Sequence, residues 1–307
     1  MKKSTLGVLI AAGVMIVVGA GMCIGGVMAA GGFDAAVNEL IGSGIDLERF
    51  YHLEMDEDGV DFDFEIGNRG IETHKNVHQE AEVMVGGSQV AYGANDVNSL
   101  ELNLGAADAK IIESDQTDEI SVKTEGNFKV FVKNKILYVR AENDLEEHTM
   151  ILEIPKNIVF EKVDISGNSC SLKIQYLEVK EVDVEADAGM IDIEELVAGD
   201  AEFEIGAGEI VINRGDVQRC DSSVGMGNFK YTGNITKYGD VECGLGNAEF
   251  YLDGKETDYN YEIDCSAGSV TIGNEIYGGV ATEKMINHQA DATIEIDCSM
   301  GNVVVTF

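Results

Sequence analysis

From residue 97 onward, apolar and polar residues alternate with a period of two, and the alternation resets at regularly spaced glycines. Six segments align on those glycines: DVEADAGMIDI from Asp183, EFEIGAGEIVI from Glu202, DSSVGMGNFKY from Asp221, DVECGLGNAEF from Asp240, EIDCSAGSVTI from Glu262 and EIDCSMGNVVV from Glu295. Two looser copies precede them, ELNLGAADAKI from Glu101 and DISGNSCSLKI from Asp164. The shared glycines, Gly189, Gly208, Gly227, Gly246, Gly268 and Gly301, are separated by 19, 19, 19, 22 and 33 residues. Apolar side chains stand five and three residues before five of the six glycines, as Val241 and Cys243 do, and two and four after all six, as Ala248 and Phe250 do. A period of two predicts strands with one buried face. The phase shifts across the glycine, so the chain must turn or bulge there while keeping the same side inward, which glycine permits without steric cost.

Two short strands and a corner cannot enclose a core alone. Stacked as coils of a β-solenoid, successive copies bury a continuous apolar column and hydrogen-bond rung to rung. An up-and-down sandwich would need its corners in mirrored pairs, and these corners share one phase. The predicted fold is therefore all-β, a solenoid with rungs of about 19–22 residues. Residues 112–160 alternate less regularly and predict two or three irregular rungs or a small flanking sheet. The stretch from Gly273 to Asp291 predicts a loop or an extra hairpin.

The N-terminus follows different rules. Lys2 and Lys3 precede an uncharged, mostly apolar run from Ser4 to Phe33. A bilayer is crossed by ~20 apolar residues, and flanking lysines favour the cytoplasmic side. This gives a short cytoplasmic tail over 1–5, a transmembrane helix over 6–31, a juxtamembrane region and acidic spacer over 32–96, and the repeat domain over 97–307 outside the cell membrane. A cleavable signal peptide ending near Val27-Met28-Ala29 is the rival, but secretory apolar cores run only ~7–15 residues.

Charge narrows the function. There are 21 Lys and Arg against 56 Asp and Glu, a formal net charge of −35. Such a chain lacks the basic surface that nucleic acid or anionic lipid requires. Hydrophobic residues make up 45% of it, enough to exclude general disorder. The acids fall on the repeat. Six residues before each glycine stand Asp183, Glu202, Asp221, Asp240, Glu262 and Glu295, and four before it stand Glu185, Glu204, Glu242, Asp264 and Asp297. Both positions face outward on the same strand, so stacking predicts two parallel acidic columns. Such columns confer solubility and protect an edge, or they dock cations: calcium as the one cofactor to consider, a cationic peptide, or a basic envelope protein.

Other groups carry less. Gly244-Leu245-Gly246 follows a strand as a phosphate loop does, but it recurs as Gly206-Ala207-Gly208 and Gly225-Met226-Gly227, with no helix pattern after any of them. It reads as a corner. Cys243, Cys265 and Cys298 share one core position and predict a buried stack of thiols. Rungs ~4.8 Å apart also leave a disulfide open. No C-x-x-C exists to hold zinc, and His74 and His78 lack a metalloprotease motif, so they read as a solvated pair. No nucleophile elbow appears and histidines number five, so the expectation is a protein without catalytic residues. A carbohydrate-active β-helix is the enzymatic alternative.

The stretch ILEIPKNIVFEKVDISGNSCSLKI, followed by D-x-x-x-x-x-G-x-x-x-I rungs, resembles the bacterial "putative adhesin" domain, a domain of unknown function. The resemblance covers about Val97 to Phe307 and rests on repeat rhythm. It implies a right-handed β-solenoid at a bacterial cell envelope, acting in surface adhesion or in envelope stress, and it brings no catalytic residues.

Overall fold

The computed structural model describes residues 53–56, 59–62, 82–85, 88–142, 148–278 and 281–307. The expected cytoplasmic tail and transmembrane helix, and the pair His74 and His78, lie outside the described residues. Among the described residues no helix is long and apolar enough to cross a membrane. The chain divides into two compact units, 1–77 and 78–307. In the first, Leu53–Asp56 and Gly59–Phe62 form an antiparallel hairpin.

The second unit is all-β, one 22-stranded sheet curled so that two faces enclose a core. Strands before each glycine corner make face I, and strands after it make face II. The rung Leu177–Ala186 and Met190–Ile193 stacks in parallel register on Leu196–Ile205 and the first residues of Glu209–Val224. Val184 pairs with Phe203 and Ile191 with Ile210, which is the 19-residue offset of the repeat made physical. The alternating apolar residues all turn inward: Val184, Phe203, Val241, Ile210, Phe229 and Phe250 are at most 1% exposed. Rings of successive rungs meet in a column, with Phe203–Phe229 at 5.2 Å and Phe229–Phe250 at 5.5 Å between centroids. Ser222 is the exception, buried where other rungs place an apolar residue, and its hydroxyl donates to the Asp240 carbonyl at 3.3 Å.

The corners explain both glycines of G-x-G and rank them. Gly244 N donates to Val224 O, and Leu245 N and Gly246 N both donate to Gly225 O. The amides a phosphate would need are spent on the previous rung, so the corner reading holds. A Cβ on Gly246 would lie 2.3 Å from Gly227 O, whereas one on Gly244 would meet nothing nearer than 3.1 Å. The second glycine is dictated by close backbone approach.

At both ends the stacking order departs from the sequence order expected of a simple coil. The rung Tyr259–Cys265 and Ser269–Ile272 does not pair with the rung before it. The last rung, Ala292–Cys298 and Asn302–Thr306, is inserted between them. At the other end, Ser99–Asn103 and Asp108–Ser114 lie between Ile136–Ala141 with Thr149–Pro155 on one side and Phe160–Gly167 with Ser171–Ile174 on the other. Antiparallel strands close each end. Glu275–Gly278 caps face II and Thr282–Ile286 caps face I, so the segment expected as a loop or hairpin forms two strands that pair with different faces. Glu119–Glu125 and Asn127–Lys133 play the same part at the opposite end, followed by Glu82–Val85 and Ser88–Gly93. The sheet thus begins before Val97. Reversed strands interrupt the parallel ladder, so among the described residues neither end presents a parallel, coil-like edge.

Replacing Gly246 by Ala is expected to destabilise the domain by about 1–3 kcal/mol through overpacking against backbone that cannot move aside. Gly244→Ala should cost clearly less. Denaturant midpoints of the two variants check the order, and equal midpoints would remove the close-approach explanation.

Candidate functional site: the acidic face

Face I carries the acids on its outer surface. Register pairs set the first column in the order Glu101, Asp164, Asp183, Glu202, Asp221, Asp240, Glu295, Glu262. The second column runs Glu185, Glu204, Ser223, Glu242, Asp297, Asp264. All eleven sequence-predicted acids are therefore brought together. The inserted last rung changes their neighbours, because Glu295 and Asp297, not Glu262 and Asp264, stand beside Asp240 and Glu242. Asp183, Asp221 and Asp240 are half-buried, and the other eight are exposed.

A third outward position, eight residues before the corner glycine, extends the face. Its order is Lys162, Glu181, Asp200, Arg219, Tyr238, Thr293, Asn260. Only part of it is acidic, so a search for repeated acids passes over it although its spacing is the same. Its bases relieve the columns locally. Lys162 Nζ lies 3.1 Å from Asp164 and 3.0 Å from Glu181, and Arg219 lies 3.5 Å from Asp200 and stacks over Tyr238 at 5.1 Å. The Tyr238 hydroxyl donates to Glu295.

Arg140 adds an ion pair to Glu101 at 2.6 Å, and beyond these bases the columns are left to repel. Partial burial and then the carboxylates of Glu295, Glu242, Asp221 and Asp297 push Asp240 up to about 6. Burial likewise raises Asp183, Glu185, Glu202, Asp221 and Asp297, with neighbouring acids adding to the effect in each. At Asp221 the Arg219 charge pulls the other way. One carboxylate oxygen of Asp221 is buried without a hydrogen-bond partner.

The columns do not converge. Among the described residues no group of three or more His, Cys, Asp or Glu is placed to hold a metal ion. The face is an extended field, not a coordination shell.

The cysteines lie behind this face. Cys298 pairs in register with both Cys243 and Cys265, so the stack runs 243–298–265. Cys170, Cys220, Cys243, Cys265 and Cys298 are all buried and free. Each of two thiols turns toward its own corner: Cys243 Sγ donates to Gly246 O and Cys298 Sγ to Gly301 O, both at 3.3 Å. A Cβ on Gly301 would come within 2.5 Å of Cys243 Sγ, and one on Gly268 within 2.5 Å of Cys298 Sγ. Each thiol thus fills the space above the next rung's glycine. The buried-stack expectation holds, and the disulfide left open by spacing is not formed.

Next to the acidic face, the middle residues of successive corners form an exposed apolar row. Met226, Leu245 and Met300 are 60%, 45% and 47% exposed, and their amides are tied rung to rung. Separately, a polar cleft of about 470 Å³ lies over Asp253, Asp258, His288, Gln289 and Asp291. Nothing in the repeat points to that cleft, because these acids, His288 and Gln289 come from the irregular connections, although strand residues such as Ile235 and Tyr259 also line it.

An all-β, solenoid-like domain with a laddered acidic face defines the class. Residues 99–306 match the family described as Toastrack DUF4097, and the chain belongs to that family. No curated protein matches it. Among solved structures it is similar to a "putative adhesin" from Bacteroides fragilis, at 12% identity and a TM-score of 0.41, covering 75% of this chain and 99% of that one. A "putative adhesin" from Parabacteroides merdae is similar at 14% identity and a TM-score of 0.38, covering 73% and 99%. A "putative cell adhesion protein" from Clostridium sporogenes is similar at 12% identity and a TM-score of 0.31, covering 74% and 99%.

The raised carboxylates predict an inverted pH dependence. Asp240 titrates near 6 when folded and near 3.8 when unfolded, so between those values the folded state holds the extra proton. Stability should therefore fall as pH rises through that window. The melting temperature at pH 5.5 is expected to exceed that at pH 7.5, and Asp240→Asn should raise the pH 7.5 value and flatten the profile. A melting temperature that drops on acidification over this range would contradict the assignment.

Proposed function

We propose that this protein is an adhesin-like binding module of a bacterial envelope, a right-handed solenoid held outside the cell membrane by its N-terminal apolar run, and that face I is its binding surface. The reading is supported chiefly by the in-register acidic columns, which place like charges at neighbouring positions on successive rungs. Like charges directly opposite on paired strands cost stability. A chain concerned only with solubility could scatter its acids and avoid that cost. A partner with regularly spaced cations recovers it on binding, because neutralising the field relieves the repulsion.

The chemistry of the partner follows from the surface. Beside Ser223, Glu242 and Asp297 runs the exposed row Met226, Leu245 and Met300, so a basic peptide or basic protein patch with interspersed apolar residues matches both features. On this reading the module has no cofactor and no catalytic role, and nucleic acid is excluded by charge. A role in sensing cationic peptides during envelope stress uses the same face.

Binding of a fluorescent oligolysine tests the reading. Affinity should fall at least tenfold between 50 and 300 mM salt, as screening of exposed charges requires. The double change Asp240→Lys and Glu242→Lys should abolish most of what remains, while Glu275→Lys on the cap should not. Binding that ignores salt and survives the reversal would overturn the proposal.

A further inference from the structure

The last rung of the chain is not the last rung of the stack. Ala292–Cys298 and Asn302–Thr306 are seated between Asp240–Cys243 with Asn247–Tyr251 on one side and Tyr259–Cys265 with Ser269–Ile272 on the other. Ile294, Ile296, Cys298, Val303 and Val305 fill that seat at 1% exposure or less. The rung is held by backbone ladders, apolar contacts and a few side-chain hydrogen bonds, such as Tyr238 to Glu295 and Thr306 to Phe250 O, all of which the same rung from another copy would make equally well. The seat's outer wall, EIDCSAGSVTI, and the rung itself, EIDCSMGNVVV, share Glu, Ile, Asp, Cys, Ser, Gly and Val at matching places. The seat therefore recognises rung chemistry and not chain identity.

The tether is short and held under strain. Ile286 pairs with Tyr261 on the outer side of that wall, and Ala292 pairs with Tyr259 on its inner side, so residues 287–291 must cross over the strand between them. Asn260, on that strand, clamps the crossing. Its amide donates to Ala290 O at 2.8 Å and Ala292 O at 3.2 Å, and its carbonyl accepts from His288 N at 3.0 Å and Ala290 N at 3.2 Å. Within the crossing Gln289 takes φ 62, a left-handed conformation unfavourable for a residue with a side chain. Short hinges under strain promote exchange of the element they tether, and exchange costs little when all other contacts are preserved.

We infer that the C-terminal rung, residues 292–307, is exchanged between two copies of this chain, each copy's rung filling the other's seat, with 287–291 opening as the hinge. The partner for this surface is a second copy, and the exchange is independent of the acidic-face reading.

A cross-link across the seat tests it. Glu242 and Asp297 are exposed register partners, so a cysteine at each can be bridged by a short bis-maleimide. The full chain carrying Glu242→Cys alone is mixed with the full chain carrying Asp297→Cys alone, incubated, and then treated. The expected result is a covalent dimer joined through peptides containing positions 242 and 297. No such dimer, under conditions where the chain carrying both changes cross-links within itself, would overturn the proposal. Asn260→Ala unclamps the hinge and should speed appearance of the dimer about tenfold, the equivalent of one or two hydrogen bonds. An unchanged rate would overturn 287–291 as the hinge.

Discussion

Everything in the solenoid-like unit depends on parallel, in-register pairing at a fixed residue offset. Once Val184 is paired with Phe203 and Asp183 with Glu202, each position in a rung is placed against the same position in the next. That constraint is indifferent to chemistry. It stacks phenyl rings inside, where contact is favourable, and carboxylates outside, where it is not. It also spends the corner amides, and so turns a motif that looks like a ligand loop into a structural joint.

The same constraint couples stability to the face proposed for binding. The interior gains from repetition because identical apolar residues bury one another at every step. The exterior loses from it, and the loss is visible as carboxylates held above their ordinary range. Lys162 and Arg219 offset the repulsion only where they stand, toward one edge of the face. From Asp240 through Glu295 and Glu262 the repulsion is left in place, and this is the part of the surface with most to gain from an external cation.

A ladder of this kind also needs an end. Here both ends abandon sequence order and finish in antiparallel strands, with the inserted rung at one end and the 99–114 rung at the other held between segments distant in sequence. Closing the stack this way protects its edges. It also leaves the last rung in an interior seat on a short tether, so that termination and exchange are two consequences of one topology.

Much of this was legible in the residues alone. Period-two alternation named the buried side chains, the recurring glycines named the corners, and the positions six and four before them named eleven acids of the two columns; Glu101 and Asp164 align instead on Ala107 and Cys170. These are local properties, repeated often enough to be read without knowing what packs on what. Tertiary structure alone decided which rung lies beside which. EIDCSAGSVTI and EIDCSMGNVVV are nearly equivalent as neighbours for the Asp240 rung, so local sequence cannot rank them. The choice appears only in the pairing of Asp240 with Glu295 and of Asn247 with Asn302, positions far apart in the chain. The sequence by itself therefore determined the rung, its core and its charge, because those repeat. Its order in the stack, the Cys243–Cys298–Cys265 sequence and the neighbours of Asp240 came only from long-range pairing, which near-identical repeats do not encode.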